Sequence, residues 1–262
     1  MRKLLLAFTA IIIAAGTQTV QAQQSDISPT LAREIATETY IWGYPLIVME
    51  KLRKVATNVE DATSTLGRAP INQFFHSRFL VPAEYKDATR PNDDTLFDVA
   101  WLDLDAEPVV MEIPRTDRFH IFQMADAWEE VFAAPGTRWN GGAGGTYLIA
   151  GPGWRGDVPQ GMELLRSSTV HVWLVGRILT NIRNDPSDYD FLHKIQDQMK
   201  LVPLSQWGKD YIPPKGKIDP TVDMKTPPTL AMDTMSAEAF FTALVEDLKK
   251  DPPALYDQTV VA

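Results

Sequence analysis

The 262-residue chain has no cysteine and only four histidines. Without thiols there is no disulfide framework, no thiolate nucleophile and no Cys-ligated zinc or iron–sulfur site. Stability must therefore come from packing. Basic residues are also scarce: 25 Lys and Arg face 34 Asp and Glu, a formal charge of −9. Their longest clusters are only pairs or the spaced set Lys51, Arg53 and Lys54. Nucleic acid and anionic lipid reward clustered cations, so neither is expected as a partner. Long apolar runs are missing too. The stretch Leu4–Ala15 counts 12 residues, short of the ~20 that span a bilayer. Arg2 and Lys3 precede it and Val20-Gln21-Ala22 follows, which is the pattern of a signal peptide over residues 1–22. The expectation is export to the periplasm or the medium. A mature chain of 240 residues would carry a charge of −11 and no membrane span.

The remainder divides into four stretches. Residues 23–58 read as an N-terminal helical segment. Ser28 suits an N-cap and Pro29 the first helical position. Leu31, Ile35, Trp42, Leu46, Met49 and Leu52 then recur at near-helical spacing. Pro45 lies within that pattern beside Gly43, so a kink or a junction of two helices is expected there. Residues 59–205 change character. The runs TLFDVAWLDL, PVVMEI, FHIFQMADA, EEVFAA, TYLIAG and TVHVWLVGRIL are short, rich in Val, Ile, Phe and Trp, and punctuated by Pro and Gly. They predict an antiparallel sandwich or barrel. Several are apolar on both faces, so one face needs a second sheet and the other a helix, which the N-terminal segment can supply. A short helix with the stripe Leu192, Ile195 and Met199 closes this region. Residues 206–230 are proline-rich and read as an extended connector. Residues 231–262 hold a last amphipathic helix with Ser236 as N-cap and Phe240, Phe241, Leu244, Val245 and Leu248 as its apolar face.

Six sequence elements occur together in one order: GYPL (43–46), NQF (72–74), RPNDDTLF (90–97), WLDLDAEP (101–108), GPGW (151–154) and VWLVGR (172–177). Over roughly residues 35–205 the chain resembles the exported bacterial family called domain of unknown function 1254. The resemblance implies an immunoglobulin-like β-sandwich as the main domain, giving a mainly β protein with flanking helices. Similar proteins continue into a second β domain, called domain of unknown function 1214. The resemblance thus implies a short or truncated member, with the Phe240, Phe241 and Leu244 face calling for a packing partner. The family supplies no mechanism. Its motif commonly has tyrosine and a small polar residue where Phe97 and Asp98 stand, which weakens any role for a phenolic hydroxyl at that point.

The strongest polar constellation is Arg90 to Thr95. Asn92, Asp94 and Thr95 can build a turn whose side chains satisfy amides entering a strand. Alternatively, Arg90 binds an anionic group, with Asn92 and Trp139 lining the same cleft and Asp94 acting as acid or base. The glycine-rich WNGGAGG has neither the Gly-Lys-Ser/Thr of a phosphate loop nor a following helix, so it reads as a rim loop and no cofactor is expected. His120 and His171 lie in strand runs and could meet as catalytic partners. No histidine pair has helical metal-site spacing, so no metal is expected. Two function classes follow. One is a small-molecule or glycan binding or scaffold module of the cell envelope. The alternative is a metal-independent hydrolase or lyase acting on a small polar substrate, with Asp94 as acid/base.

Overall fold

The computed structural model describes residues 27–62, 67–82 and 92–253. The expected signal segment and Arg90 lie outside them. The chain divides into two units, Met1–Thr37 and Glu38–Ala262. In the first, the described residues open α1 (Pro29–Thr57). Ser28 caps it as expected, its Oγ accepting from the Leu31 amide at 3.2 Å. The helix runs through Pro45 without a break.

The second unit is mainly β, in two sheets. The five-stranded sheet has the order β1 (Phe75–His76), β2 (Thr95–Asp103), β8 (His171–Leu179), β4 (His120–Asp126), β5 (Val131–Ala133). The four-stranded sheet has the order β7 (Glu163–Arg166), β6 (Gly145–Ala150), β3 (Val109–Ile113), β9 (Lys200–Pro203). A short helical turn, α2 (Thr137–Asn140), precedes β6, and α3 (Asp188–Gln196) precedes β9. Alternation along the strands makes the core. Leu96, Ala100 and Leu102 of β2, Phe122 and Met124 of β4, and Val172, Leu174 and Ile178 of β8 join Met111, Ile149 and Leu201 of the other sheet in one cluster, with Leu192 and Ile195 of α3.

One pairing departs from the expected antiparallel pattern. β6 and β7 run parallel, with Tyr147 opposite Glu163. Gly151-Pro152-Gly153 therefore does not close a hairpin. It opens a crossover of 12 residues between Ala150 and Glu163, about the length a parallel pair requires.

The outer face of the five-stranded sheet carries the expected helical cover. α4 (Pro228–Asp233) and α5 (Ala237–Leu248) follow the connector. Leu46 and Ile47 of α1 cluster with Ala127, Met232, Phe240 and Leu244. Gly43 allows this close approach, because a Cβ there would lie 2.8 Å from Leu244 Cδ1. This corrects the expectation that the Phe240, Phe241 and Leu244 face lacks a packing partner. Phe240 is 1% exposed and Leu244 2%, and α1 supplies the partner within the chain, while Phe241 stays half-buried. The connector is also anchored: Asn58 exchanges two hydrogen bonds with the Asp219 backbone, at 2.7 and 3.0 Å, and Gln73 Nε2 donates to Pro214 O at 2.7 Å.

Candidate functional site

At the entry to β2 the turn is built by Asn92 alone. Its Oδ1 accepts from the Thr95 amide at 3.0 Å, from Thr95 Oγ1 at 2.9 Å and, more weakly, from the Asp94 amide at 3.4 Å. Among the described residues the Asp94 carboxylate caps no amide, contrary to expectation. It is exposed, and its backbone carbonyl, not its side chain, receives the Thr180 amide. The geometric reason is that an Asx-turn uses the side chain two or three residues upstream of the amides it satisfies. Asp93 pairs with Arg183 at the surface. Asn92→Ala should therefore cost about 1–2 kcal/mol in urea unfolding, and Asp94→Ala should fall within about 0.5 kcal/mol of wild type.

His120 and His171 do not meet. His120 is opposite Ile178 and points to the core with Phe122 and Met124, whereas His171 sits at the other end of β8, opposite Asp103. Successive strand residues alternate faces, so the odd-numbered His171 points outward while Val172, Leu174 and Ile178 point inward. His120 Nδ1 is 2.9 Å from Arg118 O, and Thr137 Oγ1 accepts from its amide at 3.0 Å. Here Gly142 and Gly144 of the glycine-rich loop have φ of 82° and 74°. Their Cβ atoms would fall 2.5 Å from Thr116 O and 2.6 Å from Arg115 N. The glycines let the backbone approach its own neighbouring turn. Trp139 is half-exposed, and its Nε1 donates to Glu163 Oε1 at 3.1 Å. Among the described residues no contact joins it to Asn92.

His171 lies beneath α1 and α5. Asp251, just past α5, holds it: Oδ2 is 2.6 Å from His171 Nδ1, and Oδ1 accepts from the Val170 and His171 amides at 2.8 and 3.0 Å. Asp103 Oδ2 is 3.8 Å from the other ring nitrogen. The adjoining crevice is lined by Met49, Glu50 and Arg53 of α1, Trp101 and Asp247, and offers ≈ 10 Å³, room for about one water. Burial pushes the Asp247 carboxyl up to about 6, and the neighbouring Glu50 carboxylate adds to this. Burial also pushes Glu50 up, but Arg53 and Lys54 outweigh it and hold Glu50 below the usual carboxylate range. A raised acid binds its proton more tightly folded than unfolded, so Asp247 lowers stability as pH rises from about 4 to about 6. Asp247→Asn should stabilise the protein above about pH 6 and lose that advantage below about pH 4, as melting temperature against pH would record.

The outer face of the four-stranded sheet carries an open groove of ≈ 300 Å³ lined by Glu112, Lys200, Val202, Trp207, Gly208 and Lys209. Glu112 and Lys200 are cross-strand partners and both face outward. Lys200 Nζ lies 3.2 Å from Glu112 Oε2. A single 3-10 turn, Leu204–Gln206, brings Trp207 over the sheet, and Gly208, at φ 78°, reverses the chain. Lys209 Nζ donates back to Ser205 O at 2.7 Å. None of these residues stood out in the sequence. The available signal was a tryptophan followed by glycine and lysine soon after a strand.

A family model described as protein of unknown function (DUF1254) matches residues 71–203, just over half of the chain. The chain belongs to the DUF1254 family. This DUF1254 protein is also similar to the crystal structure of the VPA0106 protein from Vibrio parahaemolyticus, with TM-score 0.62 and 23% identity over 87% of this chain and 49% of that one. The likeness shows a shared fold, and the chain spans about half the length of that structure. No curated protein matches. Among the described residues no cluster of His, Asp and Glu could hold a metal ion, and no helix is long and apolar enough to cross a membrane.

Proposed function

We propose that the chain is an exported cell-envelope protein, periplasmic or secreted, that acts as a binding or scaffold module for a small molecule or glycan. The two-sheet body is read as an immunoglobulin-like sandwich, with α1 bent at Pro45. The observation that carries the binding reading is the groove at Trp207. An indole beside an ammonium–carboxylate pair offers an apolar platform with donors and acceptors at its rim. That combination suits the mixed apolar and polar faces of a sugar or another small polar molecule. The groove lies on strands, which are rigid supports for such a platform. Asp94 as acid/base gains no support, because its exposed carboxylate converges with no second acid or histidine among the described residues.

The test is tryptophan fluorescence of the mature chain titrated with pooled oligosaccharides and small polar metabolites. A saturable change should appear in wild type and vanish in Trp207→Ala at unchanged melting temperature. Equal binding by Trp207→Ala would remove the groove from consideration.

A further inference from the structure

We propose that His76 and Asp98 form a proton-transfer dyad at the β1 edge, with His76 Nε2 acting as general base in the hydrolysis of small esters. This goes beyond the binding reading and uses none of its residues.

His76 and Asp98 are direct partners in the β1–β2 ladder. Asp98 falls on the inward face of β2, between Leu96 and Ala100, and is 0% exposed. Its Oδ1 lies 2.7 Å from His76 Nδ1 and accepts from Gln196 Nε2 at 2.8 Å. Gln196 is itself held, donating to Ser77 O at 3.0 Å and accepting from Arg78 Nη1 at 3.3 Å. Among the described residues Asp98 Oδ2 is buried without a hydrogen-bond partner.

That orphan oxygen distinguishes Asp98 from the structural carboxylates of this protein. Asp126 uses both oxygens, one for the Trp128 and Glu130 amides and the other for Ser168 Oγ. Asp251 likewise uses both. A carboxylate serving only architecture has no reason to leave an oxygen desolvated and unpaired, because desolvation without a partner is destabilising. What Asp98 does engage through its other oxygen is the imidazole of His76. The carboxylate fixes the ring through Nδ1, which leaves Nε2 as the atom that can take a proton.

The other three histidines lack this combination. His171 has a carboxylate near each ring nitrogen and is 5% exposed. His120 is 1% exposed. His193 is oriented by a neutral carbonyl, Arg78 O, at 2.7 Å from Nε2. His76 alone joins a buried carboxylate on Nδ1 to an Nε2 without a partner among the described residues, on a side chain 18% exposed. The Phe74 ring lies 5.2 Å from the imidazole, and an aromatic face there favours a small, flat acyl group.

In the reaction, Nε2 takes a proton from water as the water oxygen adds to the ester carbonyl. The ester C–O bond then breaks, and Nε2 returns the proton to the departing alkoxide. The products are one carboxylic acid and one alcohol, and no redox partner is required. Asp98 and Gln196 are positioning residues.

Two measurements on the mature chain at pH 8 test this. Diethylpyrocarbonate modification, followed at each histidine by peptide mass spectrometry, should be about tenfold faster at His76 than at His193, and slowest at His120 and His171. Asp98→Asn should slow His76 by a similar factor while leaving His193 unchanged, which a general loosening of the fold would not do. p-Nitrophenyl acetate should be hydrolysed by wild type and not by His76→Gln, whose amide can still donate to Asp98 and preserve the fold. Modification of His76 no faster than of His193 would overturn the proposal, and so would equal ester turnover by His76→Gln. Should Asp98→Asn fail to fold, the wild-type rates and His76→Gln decide the matter. Loss of ligand binding at Trp207 would bear on the groove alone.

Discussion

Asp251→Ala is expected to destabilise the protein by about 3–5 kcal/mol. The residue is 4% exposed and serves three donors at once: the Val170 and His171 amides and His171 Nδ1. Its backbone also accepts from Trp128 Nε1 at 3.0 Å, a bond the substitution leaves in place. Alanine strands both amides and the imidazole beneath two helices, with room for about one water to replace the carboxylate. Asp251→Asn should lose less, because its amide oxygen can still accept from both backbone donors. Urea unfolding monitored by tryptophan fluorescence measures both variants. A loss below about 1 kcal/mol for alanine would show that the tail after α5 is not a latch.

Phe240→Ala should cost about 3–5 kcal/mol by removing a large buried side chain and leaving a cavity. Phe240 is 1% exposed, its ring lies 4.6 Å from Tyr40, and Phe241 meets it edge-on at 5.4 Å. The neighbouring Leu244 is fitted against Gly43, so the helices have little freedom to close the gap. Val245→Ala on the same helix is the control. That side chain is 56% exposed and should change stability by less than about 0.5 kcal/mol. Circular dichroism thermal melts separate the two outcomes.

The long strands and the capped helices were legible because each rests on a local signal. Thr95–Asp103 and His171–Leu179 announce themselves by β-branched and aromatic density, and Ser28 and Ser236 by their place before an apolar period. β1, with two residues, and β7, with the sequence ELLR, carry no such signal. They are strands because a neighbour's edge offers them pairing. The parallel β6–β7 pair is hidden for the same reason, since a Gly-Pro-Gly turn looks alike whether it closes a hairpin or opens a crossover. Asp94 belongs to the same polar turn, yet Asn92 does the capping. Asp98 was the better clue. It occupies an inward place in the alternation Leu96, Asp98, Ala100, Leu102, where a charged residue conflicts with the face it shares. Asp251 follows the last helix among lysines and prolines, and only tertiary packing reveals its three bonds.

The joint cover over the five-stranded sheet has a consequence for the order of folding. Leu46 and Ile47 find their partners Phe240 and Leu244 about two hundred positions later in the chain. A vectorially emerging polypeptide can pair β2, β8 and β4 while that face is still missing half its lid. Until α5 arrives, Trp101 and Ala127 border an uncapped apolar surface, and contacts of such high sequence separation form late. The interval before docking is when this protein is most exposed to self-association, and when a chaperone holding the α1 segment would have most effect.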